Sequence, residues 1–264
     1  ERFIESNKPD HIFIPALPTD NQANLPEDYI ARMKRILTPK QQKALLEGNW
    51  EAVGDPDNVY AYEDVQKAMR KNLKGTLPVE IGCDVARSGN DQSIVVLREG
   101  LKVRVHSKAQ GHDTMRTTGE IWKCCHSTVI PKWKDLLDKI TIKVDADGVG
   151  GGVVDRLKEQ QTEKEELYTA MIIKMVSKEK REELMRTGYK LQIEIIEIHG
   201  SGKPKDPVHF KNLRAEIHWG LQELLGDLDL PDDREVSSQL MALKHKTNSA
   251  GQIVIIPKEE IKAK

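Results

Sequence analysis

From Leu77 onward the chain changes its hydrophobic period, and that change limits the folds open to it. Val79, Ile81, Cys83 and Val85 alternate with other residues, Ile94 to Leu97 form a short apolar run, and Val103 and Val105 alternate again. A period of two belongs to strands with one buried face, so these segments predict three strands joined by tight turns. Residues 114–137 then carry a mostly helical pattern broken at Pro131, 140–145 are strand-like, and 153–164 read as a helix. The charged stretch 163–186 is predicted helical towards its end, 191–198 a strand, and 212–225 an amphipathic helix. Segments 243–247 and 253–256 flank an Asn248-Ser249-Ala250-Gly251 turn and predict a hairpin. A strand meander followed by strands alternating with helices predicts an α/β fold, a mixed sheet flanked by helices on both faces.

Upstream of this region the texture differs. Pro9, Pro15, Pro18, Pro26 and Pro39 separate an extended stretch from short helical patterns, one through Tyr29, Ile30, Met33 and Leu37 and another from Pro39 to Gly48. A third helical pattern runs through Val59, Val65, Ala68 and Met69 before Gly75 and Pro78. The expected division is therefore a joining, partly helical segment at 1–75 and a domain at 76–264. The 264 residues suffice to bury a sizeable core, and 31% charged with 38% hydrophobic residues is ordinary for a folded, soluble protein. No apolar run approaches the ~20 residues of a bilayer span, so no membrane partner is expected. Cys83, Cys124 and Cys125 have neither disulfide nor zinc spacing and suit a reducing cytoplasm. With 41 basic and 42 acidic side chains the net charge is -1, so contact with a polyanion would have to rest on local patches.

Two acids stand out. In VEIGCDVARSGNDQS the period of two puts Val79, Ile81 and Cys83 on one face and turns Asp84 to the other. In ITIKVDADGVGGG the same arithmetic separates Asp145 from Ile142 and Val144, again where a strand gives way to a glycine loop. Each aspartate alone could simply cap a turn or a helix. Together, carboxylates at neighbouring strand ends can hold divalent ions for phosphodiester cleavage, one activating water and one stabilising the leaving oxygen. The glycines at 148 and 150–152 do not fit a dinucleotide fingerprint, since Val153 stands where its last glycine belongs and no ribose-binding acid follows at the ~20-residue spacing. There is no GxxxxGK[ST] loop for P-loop ATP hydrolysis, no HExxH and no serine-nucleophile motif. Local cations gather at Lys203, Lys205, Lys211 and Arg214 and at Lys244, His245 and Lys246, with Arg87 three residues beyond Asp84. They suit either a solvated face or a phosphate backbone.

The stretch FIPALPTDNQANLPEDYIARMKRILTPKQQKALLEGNW at 13–50 resembles the segment that joins motor and nuclease in the large terminase subunits of tailed bacteriophages. GCDVARSGNDQSIVVLREG at 82–100, VDADGVGGGVVDRL at 144–157, FKNLRAEIHWGLQELL at 210–225 and HKTNSAGQIVIIPKEEIK at 245–262 resemble that family's successive nuclease motifs in order and rough spacing. The resemblance covers most of the chain outside about 160–190. It implies an RNase H-like (RuvC-like) fold and a DNA endonuclease that cuts concatemeric viral DNA during genome packaging, with two Mg2+ or Mn2+ ions as cofactors. By the same resemblance Asp84 and Asp145 are the catalytic, metal-binding aspartates, Asp147 and Asp91 are auxiliary acids, and Asn212 and Arg214 open a structural or DNA-facing helix. Arg87, Lys203, Lys205, Lys211, Arg214, Lys244 and Lys246 are the expected DNA contacts.

The implied partners are double-stranded DNA, the terminase ATPase domain that would precede Glu1, the small terminase subunit and the capsid portal. The implied location is the cytoplasm of an infected bacterium and, transiently, the procapsid. The family's further metal-binding aspartate follows the final hairpin, and Asp227, Asp229, Asp232 and Asp233 come too early to match it, so the C-terminal end reads as truncated. That departure leaves open a clamp that holds DNA or the portal without cutting. A resolvase-like RNase H enzyme is a further alternative, against which the joining segment argues.

Overall fold

The computed structural model describes residues 17–36, 42, 45–48, 57–86, 91–257 and 260. It divides into two compact units, residues 1–58 and 59–264. In the first, a 3-10 helix over Pro18–Asn24 is followed by α1 (Tyr29–Ile36). The Leu17 amide donates to the Asp20 carboxylate at 2.7 Å, satisfying an otherwise orphaned N–H as the chain turns in. Leu37, Pro39 and Arg87 lie outside the described residues. Residues 59–75, placed by the sequence with the joining segment, pack within the second unit, where α2 (Tyr62–Met69) buries Val65, Ala68 and Met69.

The second unit is organised by one five-stranded sheet. β1 (Val79–Asp84), β2 (Gln92–Glu99) and β3 (Lys102–Gln110) form an antiparallel meander, while β4 (Lys139–Asp145) and β5 (Gln192–Ile198) add in parallel. The strand order is β3-β2-β1-β4-β5, so the parallel pair β1–β4 lies inside the sheet. Parallel neighbours need a long crossover. Between β1 and β4 it comprises β2, β3 and α3 (Thr114–Cys124), with a π-helical turn at Cys125–Val129 and α4 (Ile130–Trp133). The expected break at Pro131 is not a break. The backbone stays helical from Thr114 to Trp133, and the π-helical turn, whose following Ile130 amide bonds the Cys125 carbonyl, lies immediately before Pro131, a local widening that accommodates a residue without an N–H.

From β4 the chain enters α5 (Gly150–Met175), then α6 (Lys178–Thr187), before returning as β5. This corrects the shorter helix expected at 153–164. Val153, Val154, Leu157, Tyr168 and Ile172 are buried along α5. Leu157 and Tyr168 are eleven residues apart, three helical turns, so the polar run between them sits on good helix formers without interrupting the stripe. Ser177 caps α6 by accepting from the Lys180 amide at 3.2 Å, and Gly188, at φ 65°, ends it in the left-handed conformation.

The sheet's two faces are unlike. Val79, Ile81, Cys83, Val95, Leu97, Ile140, Ile142, Val144 and Ile193 point to one side and join α3, α4 and α5 in the main core. The other side carries an ionic ladder: Glu80 on β1 binds Arg98 on β2 at 2.8 Å and Lys143 on β4 at 2.7 Å. A second apolar cluster covers the β3 end of that side. It joins Val59, Tyr60, Val65 and Met69 to Ala215 of α7 (Leu213–Leu224), to Leu225, Leu228, Leu230 and Leu243, and to Ile255 of the hairpin β6 (His245–Thr247)–β7 (Ile253–Ile255), with Val103 packed against it. Val103 pairs with Arg98 and so shares the ladder's face. A short helix absent from the sequence reading, α8 (Arg234–Met241), starts at the Asp233 cap.

This second layer is tied to the sheet by Asp229, whose side chain is fully buried. It accepts from Arg104 at 2.8 Å and from the Leu73 amide at 2.9 Å, while its backbone bonds to Leu101 and Val103. Burial pushes its carboxyl up, but Arg104, the Leu73 amide and then Lys102 together outweigh it and hold the pKa below the usual range.

Two predictions follow from this packing. His218 sits in the second layer with its Nδ1 2.9 Å from the Tyr60 hydroxyl; burial, then the nearby Arg214 charge, pull its pKa down to about 4. Its unfolded value is about 6.5, so between those limits the unfolded chain binds more protons and stability falls as pH drops. At about 1.4 kcal/mol per pKa unit the loss from pH 7 to 4 is about 3 kcal/mol, and His218→Gln should flatten that part of a urea-unfolding pH profile. The second concerns the first residue of α5. A Cβ on Gly150 would lie 1.8 Å from the Asp145 carbonyl oxygen, whereas one on Gly151 would find its nearest atom at 4.0 Å. Gly150→Ala should cost about 3 kcal/mol through overpacking, while Gly151→Ala should be neutral or stabilising by about 0.5–1 kcal/mol; urea midpoints of the two variants decide.

Candidate active site

Register brings Asp84 and Asp145 together. Cys83 pairs with Val144 in parallel, so the two aspartates are the next residues off strands ~4.8 Å apart. Alternation turns both away from the main core, and both are exposed at the same edge of the sheet. Their charges converge: the Cys83 thiol is pushed up to about 12 by its burial and then by Asp84 and Asp145 together. That thiol is buried and protonated, which excludes it as a nucleophile.

The loop after β4 is pinned to the loop after β5. Asp145 Oδ1 accepts from the Asp147 amide at 3.0 Å, and the Ala146 amide donates to the Ile198 carbonyl at 2.9 Å, extending the β4–β5 ladder. Asp147 then spends both oxygens across the gap: Oδ1 lies 3.1 Å from His199 Nδ1, and Oδ2 accepts from the Gly200 amide at 3.0 Å. The opposite edge of the His199 ring lies 3.5 Å from Glu197, which pairs with Lys158 of α5. The bond to Asp147, and then Glu197, hold the His199 pKa above its ordinary value. Gly148, at φ 76°, supplies the left-handed turn that lets the chain double back into α5.

Sequence reasoning named Asp147 as an auxiliary acid but not His199, Gly200 or Glu197. Their only signal in the sequence is position, at the end of the strand that follows Asp145's own.

Backbone bonds tie together the segments that carry most of the expected cationic groups. The Arg214 amide donates to the Gly200 carbonyl at 2.8 Å, so the start of α7 sits directly on the loop that holds Asp147. Asn212 caps α7 by accepting from the Ala215 amide at 3.0 Å. The hairpin is sewn to the same loop: Ile253 donates to the His209 carbonyl and Lys211 to that of Ile253. Lys203, Lys205, Lys211 and Arg214 are exposed, and among the described residues none has an ion-pair partner. Lys246 differs, since it pairs with Glu260 at 3.0 Å; Lys244 lies just before β6 and is also engaged. Asp91 stands immediately before β2, whose Ile94 pairs with Asp84, and so lies off the same sheet end. Arg87 is outside the described residues.

Two adjacent carboxylates supply the hard oxygen donors that Mg2+ or Mn2+ prefers. Among the described residues no group of three His, Cys, Asp or Glu side chains is placed to hold a metal ion, and no helix is long and apolar enough to cross a membrane.

No family model matches the chain, and no curated protein does. Solved structures do. The nuclease domain of the large terminase subunit gp2 of bacterial virus Sf6 superposes with a TM-score of 0.52 at 18% identity, covering 78% of this chain and 91% of that one. A mutant of that domain with manganese and beta-thujaplicinol gives 0.53 at 18% identity over 78% and 90%, and a mutant with calcium gives 0.51 at 18% over 78% and 91%. With its sheet order, its mixed pairing and its paired strand-end aspartates, the chain has the RNase H-like fold of these phage terminase nuclease domains.

Proposed function

We propose that this chain is a metal-dependent DNA endonuclease, the part of a viral DNA-packaging terminase that cuts concatemeric DNA. The observation that carries the reading is the meeting of Asp84 and Asp145 at the open edge of the central parallel pair. The manganese and calcium in the similar Sf6 structures support divalent-ion use by this fold. Asp84 and Asp145 would hold the ions, with Asp91 a further acid at the same sheet end. A bound divalent ion supplies water activation and charge neutralisation at the scissile phosphate, and a pair of ions divides those tasks between attacking and leaving oxygens. The chain's own contribution is to fix the two carboxylates on a rigid sheet and to offer Lys203, Lys205, Lys211 and Arg214 to the phosphate backbone beside them.

Double-stranded DNA is the proposed substrate. The ATPase domain of a terminase, its small subunit and the capsid portal are the proposed partners, with residues 1–58 as the connection to the motor. The proposed setting is the cytoplasm of an infected bacterium and the procapsid.

Supercoiled plasmid incubated with the chain should be nicked and linearised with Mn2+ or Mg2+ and left intact with EDTA. Asp84→Asn or Asp145→Asn should remove several kcal/mol of transition-state stabilisation, a loss on the order of a thousandfold in rate, with the thermal midpoint retained. Cutting that persists in either variant overturns the assignment. A wild-type chain that binds duplex DNA but never cuts points to a clamp.

The cations give a separate expectation. Arg214→Ala should weaken duplex binding in fluorescence anisotropy and reduce the slope of log K against log salt by about 0.9, one phosphate contact. Lys246→Ala should change both less, because Lys246 is already paired with Glu260.

A further inference from the structure

Asp147 carries an arrangement that the paired carboxylates alone do not require. Both of its oxygens are occupied, by the His199 ring and the Gly200 amide, so its carboxylate is turned towards the β5 loop. Its backbone amide meanwhile holds Oδ1 of Asp145. The peptide that orients Asp145 is thus itself oriented by His199 and Gly200. Gly200 is fixed in turn from its carbonyl side by the Arg214 amide at the start of α7. On its far edge His199 faces Glu197, and through it Lys158 of α5.

Magnitudes separate a structural role from a positioning one. His199, Asp147 and Glu197 have side chains 52%, 47% and 39% exposed. Ion pairs so exposed contribute about 0–1 kcal/mol to stability. Groups that orient a metal-binding side chain from one bond further out characteristically change metal affinity by about 10- to 100-fold when removed. A network too exposed to stabilise the fold, yet bonded to the peptide that sets a carboxylate, has its consequence at that carboxylate.

We propose that His199 is a positioning residue which, through Asp147, fixes the Asp145 carboxylate for divalent-cation binding. The inference rests on the metal-dependent reading above and deepens it. It also assigns Asp147 to orienting the site rather than binding the ion directly.

The two ring nitrogens have different partners, which makes the test specific. An asparagine amide can take the place of Nδ1 and keep the bond to Asp147, whereas a glutamine amide reaches the place of Nε2 and keeps only the side facing Glu197. The probe is Mn2+ alone, with binding followed by electron paramagnetic resonance at fixed pH, alongside thermal melts of each variant. His199→Ala and His199→Gln should raise the Mn2+ dissociation constant about tenfold, His199→Asn should restore it to within about threefold of wild type, and all three should melt within about 2 °C of the parent.

Unchanged Mn2+ affinity in His199→Ala overturns the proposal. So does a large fall in its melting temperature, which makes the residue structural, or a glutamine variant that rescues as well as asparagine. A wild-type chain whose Mn2+ binding is indifferent to Asp145→Asn overturns it as well. Failure of DNA cleavage in a chain that binds Mn2+ as described sinks the endonuclease reading alone, since the His199 result is read from the cation and not from DNA.

Discussion

The parallel pairing of β1 with β4 is the constraint on which the rest of the molecule depends. Cys83 opposite Val144 makes Asp84 and Asp145 neighbours, and a slip of one residue in either strand would bury one carboxylate in the main core. Parallel neighbours cannot be joined by a tight turn, so the chain must spend β2, β3, α3 and α4 on the way from one to the other. The same pairing fixes the demand on Gly150. A helix that covers the core face must start immediately beyond β4, close enough that its first residue touches the Asp145 carbonyl and admits no side chain.

The unlike faces of the sheet follow from that arrangement. One face is dry, and its fully buried isoleucines, valines and leucines supply the bulk of the stability, each worth about 1.5–3 kcal/mol. The other carries the Glu80–Arg98–Lys143 ladder, half-exposed pairs that add little individually but hold charged side chains across three strands. An all-apolar second face would place Asp84 and Asp145 in a low-dielectric setting where their ionised forms are costly. The polar face lets two adjacent carboxylates remain solvated. Asp229 marks the contrast: the second layer buries it, and Arg104 and the Leu73 amide both bind its Oδ2, giving the buried charge an opposite charge as partner.

Much of this was legible in the sequence, for identifiable reasons. Alternation in VEIGCD and ITIKVD named both strands, the buried face and the two acids turned from it, because a period of two reports local geometry directly. Helix α5 was underestimated because the polar run between Leu157 and Tyr168 hides a stripe that resumes three turns later. Pro131 was read as a break within the helical pattern because a sequence does not announce a π-helical turn. The bonds around His199 had no local signature at all, since Asp147 and His199 are 52 residues apart and meet only because β4 and β5 pair in register. The basic groups were named from their local clustering along the chain, but whether a lysine already has a carboxylate depends on tertiary contacts. Lys246 has one and Lys211 has none among the described residues.

Charge distribution connects these features. The chain as a whole carries -1, so no long-range field draws in a polyanion. At the sheet edge, two carboxylates repel phosphate at close range, while four exposed cations lie on the loop and helix start bonded to the same turn. The two sets oppose each other unless something neutralises the acids. A divalent cation held as proposed between Asp84 and Asp145 would convert the local anionic spot into a neutral or positive one, and the neighbouring lysines and arginine would then act in the same direction as the site. On the proposed reading, metal binding and phosphate binding would thereby be coupled by electrostatics, the cation easing the approach of a DNA backbone as well as serving the chemistry on it.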